Sequence, residues 1–587
     1  MNINDYYTRE IQSLRTVGKE FSKRNPRLAS FLSEEGQDPD VERLLEGVAF
    51  LTGRLRQSMD KEFPEFTHGL TQLLWSNYLK PIPSYSIIEF TPEITMEKKS
   101  LIRKGTKLFG YSDEYETDCP FTTNYEVTLL PLRVDRVEYF SNGFHSTIEL
   151  DIEITTHHSL IDLEMDRLRF YLGGDSRNSE ELYLYLNRYV EKIELLIYGE
   201  DDSITKLILD ENVISPVGFK ENENMLPKEK AVFQGYTLLQ EFFCYREKFN
   251  FIDISGLDKL KVVSEKILEN SHKFGLKIEL KREFELSKKL DIENFRLFCT
   301  PAINIFKTDA IPFSKTHKEE EYEVIVSQNR TQSEIYSILK VSGWQTNHNR
   351  QQEFLPFGLF EHTEKNQEYY TTRIKLSDDN KRIKTFLRFK PSIEQLNYLN
   401  QKMTISVETL ATNKDIPTTL RLGDIKRLDA SSTLSHLSFK NITTPSKSFL
   451  PPIQGDFLWR IISNMSLNYL SLNSINTFRV LLESYDFIGF TDSLRQKHTK
   501  SMLLGLTNIS FKPSEMLYKG LPIRGIEVTI EMNPDRYASL GEAYIFSSLI
   551  NEFLALYNNI NTFHHFKVKI DKKGIFVWRS KLGQQSI

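Results

Sequence analysis

Histidines and paired acids are the residues of this chain that could hold a metal ion or move a proton. Two adjacent pairs stand out among the 12 histidines, His157-His158 and His564-His565. Neighbouring side chains point to opposite faces of a strand and lie about 100° apart on a helix, so neither pair presents two ligands to one ion. Asp38 and Asp40 flank Pro39, where a predicted helix start explains both acids without a metal.

Motifs for phosphate binding and for serine- or zinc-dependent hydrolysis are also absent from the sequence. Gly-x-x-x-x-Gly-Lys-Ser/Thr, Gly-x-Ser-x-Gly and His-Glu-x-x-His do not occur. The three cysteines, Cys119, Cys244 and Cys299, are widely spaced, which disfavours a disulfide framework or a zinc site built on cysteine pairs. We predict no catalytic residue, no metal site and no cofactor. A carboxylate pair formed only in the folded chain would escape this search, so an unrecognised enzyme stays an alternative.

Charge and hydropathy predict which classes of partner the chain does not bind. The 75 basic and 80 acidic residues give a net charge of −5, and the nearest basic cluster, between Lys381 and Lys390, is short. We therefore predict no nucleic-acid partner. No run of about 18 apolar residues occurs, which predicts no membrane span. The start of the chain lacks the pattern of a signal peptide, and we expect a cytoplasmic protein.

The elements that position these residues begin with a helical region, predicted for residues 1–83. Tyr7, Ile11, Leu14 and Phe21 recur at steps that place them along one face of a first helix. A second helix begins at Pro39, with Asp38 as its N-cap, and repeats apolar residues three and four apart. These apolar positions are Val41, Leu44, Val48, Leu51 and Leu55.

The rest of the chain is typical of mixed α and β structure. Residues 84–400 contain many short stretches of alternating polarity, such as Ser146–Ile154, and are predicted to be a β-rich middle region. Residues 401–587 are predicted to form a C-terminal α+β domain, with a strand at Met403–Leu410 and a helix at Glu542–Tyr557. The predicted fold class is therefore α+β, in three parts with boundaries near residues 83 and 400.

One family matches segments of this sequence in order from end to end. Asp38–Leu51, which reads DPDVERLLEGVAFL, resembles the N-terminal signature of the TssF family of type VI secretion system proteins. Gly235–Phe243, Cys299–Phe306 and Arg524–Val528 resemble later segments of that family. Ala411–Pro417 departs from the family's usual Cys-Thr-Asn-Arg-Asp-Leu-Pro. The shared order of many short segments is the basis of the resemblance.

The resemblance implies a structural function in a secretion machine. Members of the family form the wedge of the baseplate, in which two TssF chains accompany one TssG, bundle their helices and project β-rich wings. The resemblance therefore implies TssG, a second TssF copy, TssK, TssE and the VgrG spike as partners. It also implies a function in priming sheath growth and a cytoplasmic position at the inner face of the inner membrane. A soluble adaptor module that binds a peptide or glycan remains the alternative.

The residues that could form such interfaces are predicted from their type and spacing. We hypothesise that Tyr7, Ile11, Leu14 and Phe21 pack into a bundle with other chains, and packing on this chain's own second helix is the alternative. Arg43 and Glu46 are three residues apart on the second helix and could pair. Trp459 and Arg460 have the residue types of interface anchors, and a core tryptophan beside a surface arginine is the alternative.

Overall fold

A computed structural model gives the fold of the chain, which divides into two compact units. Residues 1–74 with 452–465 form the smaller unit, and residues 75–451 with 466–587 form the larger unit. The structure describes residues 7–8, 10–12, 14, 39–62, 64–93, 96, 99–199, 203–210, 212–228, 233–283, 286–316, 319–326, 332–345, 350–357, 368–377, 382–390, 403–429, 437–453, 474–558 and 561–583.

The α-helices of more than one turn with defined bounds are numbered here in chain order. They are α1 Pro39–Glu62, α2 Pro64–Trp75, α3 Ser176–Arg188, α4 Gln234–Cys244, α5 Glu265–Glu269, α6 Ile475–Glu483, α7 Ser493–Leu504 and α8 Leu540–Leu556. Helix α1 begins at Pro39, as the Asp38-Pro39 pattern predicts. Helix α8 confirms the helix predicted at Glu542–Tyr557, with its start two residues earlier. None of the helices in the described ranges combines the length and hydropathy that a bilayer crossing requires.

The strands outnumber the helices and lie in the larger unit. The first fifteen are β1 Tyr85–Thr91, β2 Ser100–Ile102, β3 Lys107–Ser112, β4 Thr117–Thr123, β5 Val127–Leu129, β6 Leu132–Ser141, β7 Ser146–Ile154, β8 Arg167–Tyr171, β9 Val190–Tyr198, β10 Ile204–Ile208, β11 Ile214–Pro216, β12 Phe251–Ser255, β13 Lys273–Leu280, β14 Arg296–Leu297 and β15 Cys299–Ile303. The later ones are β16 Phe306–Asp309, β17 Phe313–Lys315, β18 Tyr322–Val324, β19 Glu334–Gln345, β20 Arg350–Pro356, β21 Tyr369–Leu376, β22 Ile383–Lys390, β23 Met403–Thr412, β24 Arg427–Leu428, β25 Ser438–Asn441, β26 Leu506–Tyr518, β27 Leu521–Met532, β28 Phe563–Ile570, β29 Gly574–Val577 and β30 Lys581–Leu582. Together they confirm the strand-rich α+β class.

A six-stranded sheet occupies the middle of the larger unit, in the order β24-β3-β4-β15-β1-β25. Every residue of β15 is buried, because β1 and β4 pair with it on either side. The chain between β4 and β15 forms most of two further sheets. One has five strands in the order β10-β9-β13-β7-β6, and the other has four in the order β11-β12-β8-β14. Strand β7 spans Ser146–Ile154, the bounds that alternating polarity predicts.

An eight-stranded sheet joins sequence from both sides of residue 400. Its order is β16-β23-β19-β20-β21-β22-β18, and β17 also pairs with β23. Strand β23 follows residue 400 and pairs along its length with β19, which precedes it. The sheet is therefore continuous across that predicted boundary. The division into residues 1–83, 84–400 and 401–587 remains a prediction.

The C-terminal sheet is built around one parallel pair of strands. Its order is β26-β27-β28-β29, with β30 paired to β28. Strands β27 and β28 are parallel and are joined through α8, as a parallel connection requires a crossover. Strands β26 and β27 form a hairpin whose pairing continues to Tyr518 and Leu521, beyond the point where β28 meets β27.

Aromatic side chains fill much of the core of the larger unit. Trp75 lies 4.7 Å from Tyr78 and 5.0 Å from Tyr485 between ring centroids. Tyr236 stacks on Tyr485 at 5.4 Å and shares a hydrogen bond of 2.8 Å with the hydroxyl of Tyr557. Such contacts account for part of the high Phe and Tyr content as core packing.

Candidate functional site

The cysteines and the acids of the described residues do not form a metal site. No group of three or more His, Cys, Asp or Glu side chains with metal-binding geometry occurs in the part of the chain that the structure describes. Cys119, Cys244 and Cys299 are free and buried. Burial raises the pKa of all three thiols, that of Cys119 to about 12, so they stay protonated and unreactive near neutral pH.

A cavity of about 360 Å³ in the larger unit has the size of a small-ligand site. It lies in the eight-stranded sheet, and Glu334, Arg382, Lys384 and Lys414 are among its lining residues. Burial raises the pKa of Glu334 to about 7. One oxygen of this carboxyl accepts a hydrogen bond of 2.6 Å from the backbone N–H of Ile383, which ties β19 to β22. The geometry gives Glu334 a structural function in closing this sheet.

The family-like segment Gly235–Phe243 supplies one half of a fully buried ion pair. Glu241 on α4 contacts Lys248, and both side chains have no exposed surface. Glu241 also accepts hydrogen bonds of 2.8 Å from the backbone N–H groups of Met225 and Leu226. Because a buried charge is costly unless it is paired and hydrogen-bonded, these contacts fix the loop around residue 225 to α4.

The family-like segment Cys299–Phe306 contacts the departing segment Ala411–Pro417 through Asn304. Its side-chain oxygen accepts hydrogen bonds from the hydroxyl of Thr412 at 2.9 Å and from the backbone N–H of Asn413 at 2.7 Å. Its side-chain nitrogen donates to the carbonyl of Pro120 at 2.7 Å. Asn304 thus joins β4, β15 and the turn after β23. Thr412 and Asn413, within the segment that departs from the family's usual sequence, therefore help to hold the fold together.

A third buried network fixes the start of α8. Glu542 contacts Arg246 at 2.7 Å and His498 at 3.1 Å, and it accepts a hydrogen bond of 2.6 Å from the backbone N–H of Ala538. Burial by itself would raise the pKa of Glu542, but the hydrogen bond from His498 and the charge of Arg246 lower it to about 2. Gly541 lies so close to Glu180 that an added Cβ would stand 2.2 Å from its backbone carbonyl.

The predicted interface residues of the first helix differ in how far they are buried. Tyr7, Ile11 and Leu14 are helical, as predicted. Ile11 is only 8% exposed within this single chain, and Tyr7 and Leu14 are half-buried. Ile11 is therefore buried within this chain, and whether the first helix packs on the second helix or on another chain remains a prediction. Phe21 lies outside the described residues.

The other predicted interface residues are either exposed or outside the described part. Arg43 and Glu46 are exposed on α1, one turn apart. Trp459 and Arg460 lie outside the described residues. Their functions in an interface remain predictions.

The largest exposed apolar surface of the described helical region lies on α1, at positions that we did not predict as an interface. Leu44, Val48 and Leu51 are 68%, 45% and 65% exposed, and their spacing of four and three places them on one face. We call these three residues the α1 stripe. Its periodicity was visible in the sequence, but periodicity predicts an apolar face and not what covers that face. Exposed apolar residues that form a contiguous patch are typical of protein interfaces.

The whole chain matches the model of one protein family. The family is described as "Type VI secretion system, TssF", and the match covers residues 1–585. A relative from Pseudomonas aeruginosa, the type VI secretion system component TssF1, is 29% identical, and the alignment covers 99% of this chain and 98% of that protein.

Two solved structures are also similar to this chain. A chain from a cryo-electron microscopy structure of the TssK-TssF-TssG baseplate subcomplex has a TM-score of 0.74 and 25% identity, covering 92% of this chain and 99% of that chain. A chain from the baseplate complex of the type VI secretion system has a TM-score of 0.61 and 22% identity, with full coverage of both chains. The second likeness concerns the fold alone.

Proposed function

Since this chain belongs to the TssF family of type VI secretion system proteins, we propose that it is a structural subunit of the baseplate of that system. It acts by burying its surface against neighbouring subunits and makes or breaks no covalent bond. The observation that carries this proposal is the α1 stripe, an apolar face left in solvent by the isolated chain.

TssG and TssK are the first partners of the proposed subunit. The support is the likeness to a chain of the TssK-TssF-TssG subcomplex over 92% of this chain. We place the α1 stripe in a bundle with helices of another subunit, because three large apolar residues at helical spacing suit helix packing. Tyr7, Leu14 and Phe21 extend the proposed bundle, whereas Ile11 is already buried in this chain.

The wider assembly follows from the resemblance to the family. A second TssF copy, TssE and the VgrG spike are its further proposed partners, and priming of sheath growth is its proposed effect. The subunit would work in the cytoplasm, docked through the baseplate at the inner face of the inner membrane. The absence of a spanning helix from the described residues is compatible with docking through other subunits.

Co-expression with TssG and TssK tests the proposal. We expect the Leu44→Ser/Leu51→Ser variant to lose co-purification. Removing two leucines that the complex would bury costs roughly 3 kcal/mol of binding free energy, or about a hundredfold in affinity. The matched control is Val262→Ser. Val262 is 81% exposed in the larger unit and belongs neither to the α1 stripe nor to the first helix. Undiminished binding of the double variant with a folded chain would end the proposal for this face.

A second variant separates the two helical faces. Ile11→Asp places a charge at a position that this chain already buries, so we expect it to disturb the chain itself as well as any complex.

Size-exclusion chromatography of the wild-type chain tests the adaptor alternative. A soluble, monomeric chain that does not bind TssG or TssK would favour that alternative.

A further inference from the structure

The β26–β27 hairpin extends beyond the sheet from which it arises. Strand β28 joins β27 only from Gly525 onward, so residues 515–524 form a hairpin of two strands, with no third strand among the described residues. No side chain between 511 and 524 is buried. An isolated two-stranded hairpin is marginally stable in water, and partner contacts are one means of stabilising it.

The end of this hairpin is both apolar and basic. Leu517 and Leu521 are 77% and 69% exposed. Tyr518 lies between Leu517 and the turn at Lys519-Gly520, and Leu521 directly follows that turn. We call residues 517–521 the hairpin tip. Lys519 lies in the turn, with its Nζ atom 5.5 Å from the centre of the Tyr518 ring. Residues 515–524 contain two basic residues and one acidic residue, a net charge of +1. Arg524 pairs with Glu515 at 3.4 Å, so the charge of Lys519 is the one left at the tip.

Prolines limit how the hairpin can bind. Pro513 on β26 and Pro522 on β27 lack the backbone N–H that an added strand would need at those positions. Strand addition along the extension is therefore disfavoured. The exposed side chains of the tip remain as the contact surface.

A second hairpin of the larger unit carries the opposite charge. Strands β3 and β4 are joined by residues 113–116, which we call the acidic turn. Asp113, Glu114 and Glu116 are exposed and lie in no ion pair within the described ranges, whereas the nearby Asp118 pairs with Arg427. Tyr115 in the turn and Tyr111 beside it are exposed aromatic residues. The acidic turn therefore combines negative charge with an apolar surface.

We propose that the hairpin tip of one copy of this chain docks on the acidic turn of a second copy. Lys519 would face the carboxylates of the acidic turn. Leu517 and Leu521 would pack on Tyr115 in that turn and on the neighbouring Tyr111. The two surfaces differ, so the contact is heterologous and can join successive copies around a ring. This inference deepens the proposed function, on which it rests, by assigning surfaces to the contact between copies.

The size of the two surfaces predicts a weak contact. Two hairpin ends bury far less than the roughly 1,000 Å² of a stable interface, so the isolated pair should dissociate readily. Inside an assembly, other contacts raise the effective concentration of the two surfaces and make a weak contact sufficient. The contact should weaken as salt is added, because its charges are exposed.

Site-specific disulfide cross-linking tests the proposal on the full chain. The three native cysteines are buried, so new surface cysteines do not compete with them. We expect a mixture of Pro522→Cys and Glu114→Cys chains, which keep Lys519, Asp113 and Glu116, to give at least tenfold more cross-linked dimer than either variant alone. Val262→Cys mixed with Glu114→Cys measures random collision, because Val262 is exposed and belongs to neither hairpin.

Three results would overturn the proposal. The first is a mixture that gives no more dimer than the Val262→Cys control, and the second is equal dimer from Pro522→Cys alone. The third is retention of the wild-type chain by vesicles of anionic lipid that Lys519→Glu abolishes while no cross-link forms. The second would indicate a symmetric contact between two tips, and the third a membrane as the partner.

Charge reversal gives a second and independent readout. Lys519→Glu and Glu114→Lys should each reduce the cross-link between cysteines introduced at 521 and 115 at least tenfold, and the two reversals together should restore it. The experiment is run on the chain alone and on its complex with TssG and TssK. A complex that fails to form argues against the proposed function, whereas cross-linking of the chain alone still decides the contact between copies.

Discussion

The interior of the larger unit and the α1 stripe reverse the usual distribution of polar and apolar groups. Lys248 and Glu241 are charged residues without exposed surface, whereas Leu44 and Leu51 are apolar residues mostly in solvent. The buried charges have partners within the chain. The leucines of the α1 stripe have large apolar surfaces that the described residues leave exposed. The difference shows that internal polar contacts fix the body, and it is the basis of our proposal that the exposed apolar stripe serves assembly with other chains.

The strongest test of this comparison removes one charge from the interior. We expect Lys248→Met to lower the free energy of unfolding by about 3–5 kcal/mol, because Glu241 then remains buried without its partner. Urea unfolding measures the loss. The double variant Lys248→Met/Glu241→Gln keeps an acceptor for the N–H groups of Met225 and Leu226 and should recover much of the stability. A single variant as stable as the wild type would contradict the importance of the pair.

The pH dependence of stability tests the buried acid of the eight-stranded sheet. The pKa of Glu334 is raised from 4.5 to about 7. Between these values the folded carboxyl keeps a proton that the unfolded carboxyl releases, so its contribution to stability falls as the pH rises, by roughly 3 kcal/mol. Glu334→Gln keeps the acceptor for Ile383 and should remove this dependence. Unfolding of both proteins across pH 5–7.5 measures it, and identical slopes would contradict the burial of this acid.

A smaller effect is expected from close packing at the start of α8. Gly541→Ala would place a Cβ 2.2 Å from the Glu180 backbone, which should cost about 1–3 kcal/mol. Gly69→Ala in α2 is the matched control, because its Cβ would meet no atom within 4 Å and alanine favours a helix. Thermal unfolding of both variants provides the measurement. Equal melting temperatures for the two would show that the helices α3 and α8 separate easily.

Local features of the fold could be predicted from the sequence, because they depend on neighbouring residues. Asp38-Pro39 predicts the start of α1, and alternating polarity predicts the bounds of β7. The pairing of β23 with β19 could not be predicted, since no local pattern specifies a partner some seventy residues away. The buried ion pair of Glu241 and Lys248 was also not predicted, because spacing in the sequence does not show that two charged side chains are both buried.

The candidate interface was predicted less well than the elements that carry it. The first helix and α1 have the same apolar periodicity, but the structure buries Ile11 and exposes Leu44. Spacing fixes which side chains share a face, and only the packing of the whole chain decides which face is covered. The exposed hairpin tip was not predicted, because the residue pattern of β26 and β27 does not show where β28 begins to pair with β27.

The position of the α1 stripe in the assembled complex tests the central claim most directly. The measurement is a cryo-electron microscopy map of this chain co-expressed with TssG and TssK, at a resolution that places side chains. We predict that Leu44, Val48 and Leu51 contact apolar residues of another subunit within about 4.5 Å. A map in which the three residues still face solvent would contradict the claim that this face exists for assembly.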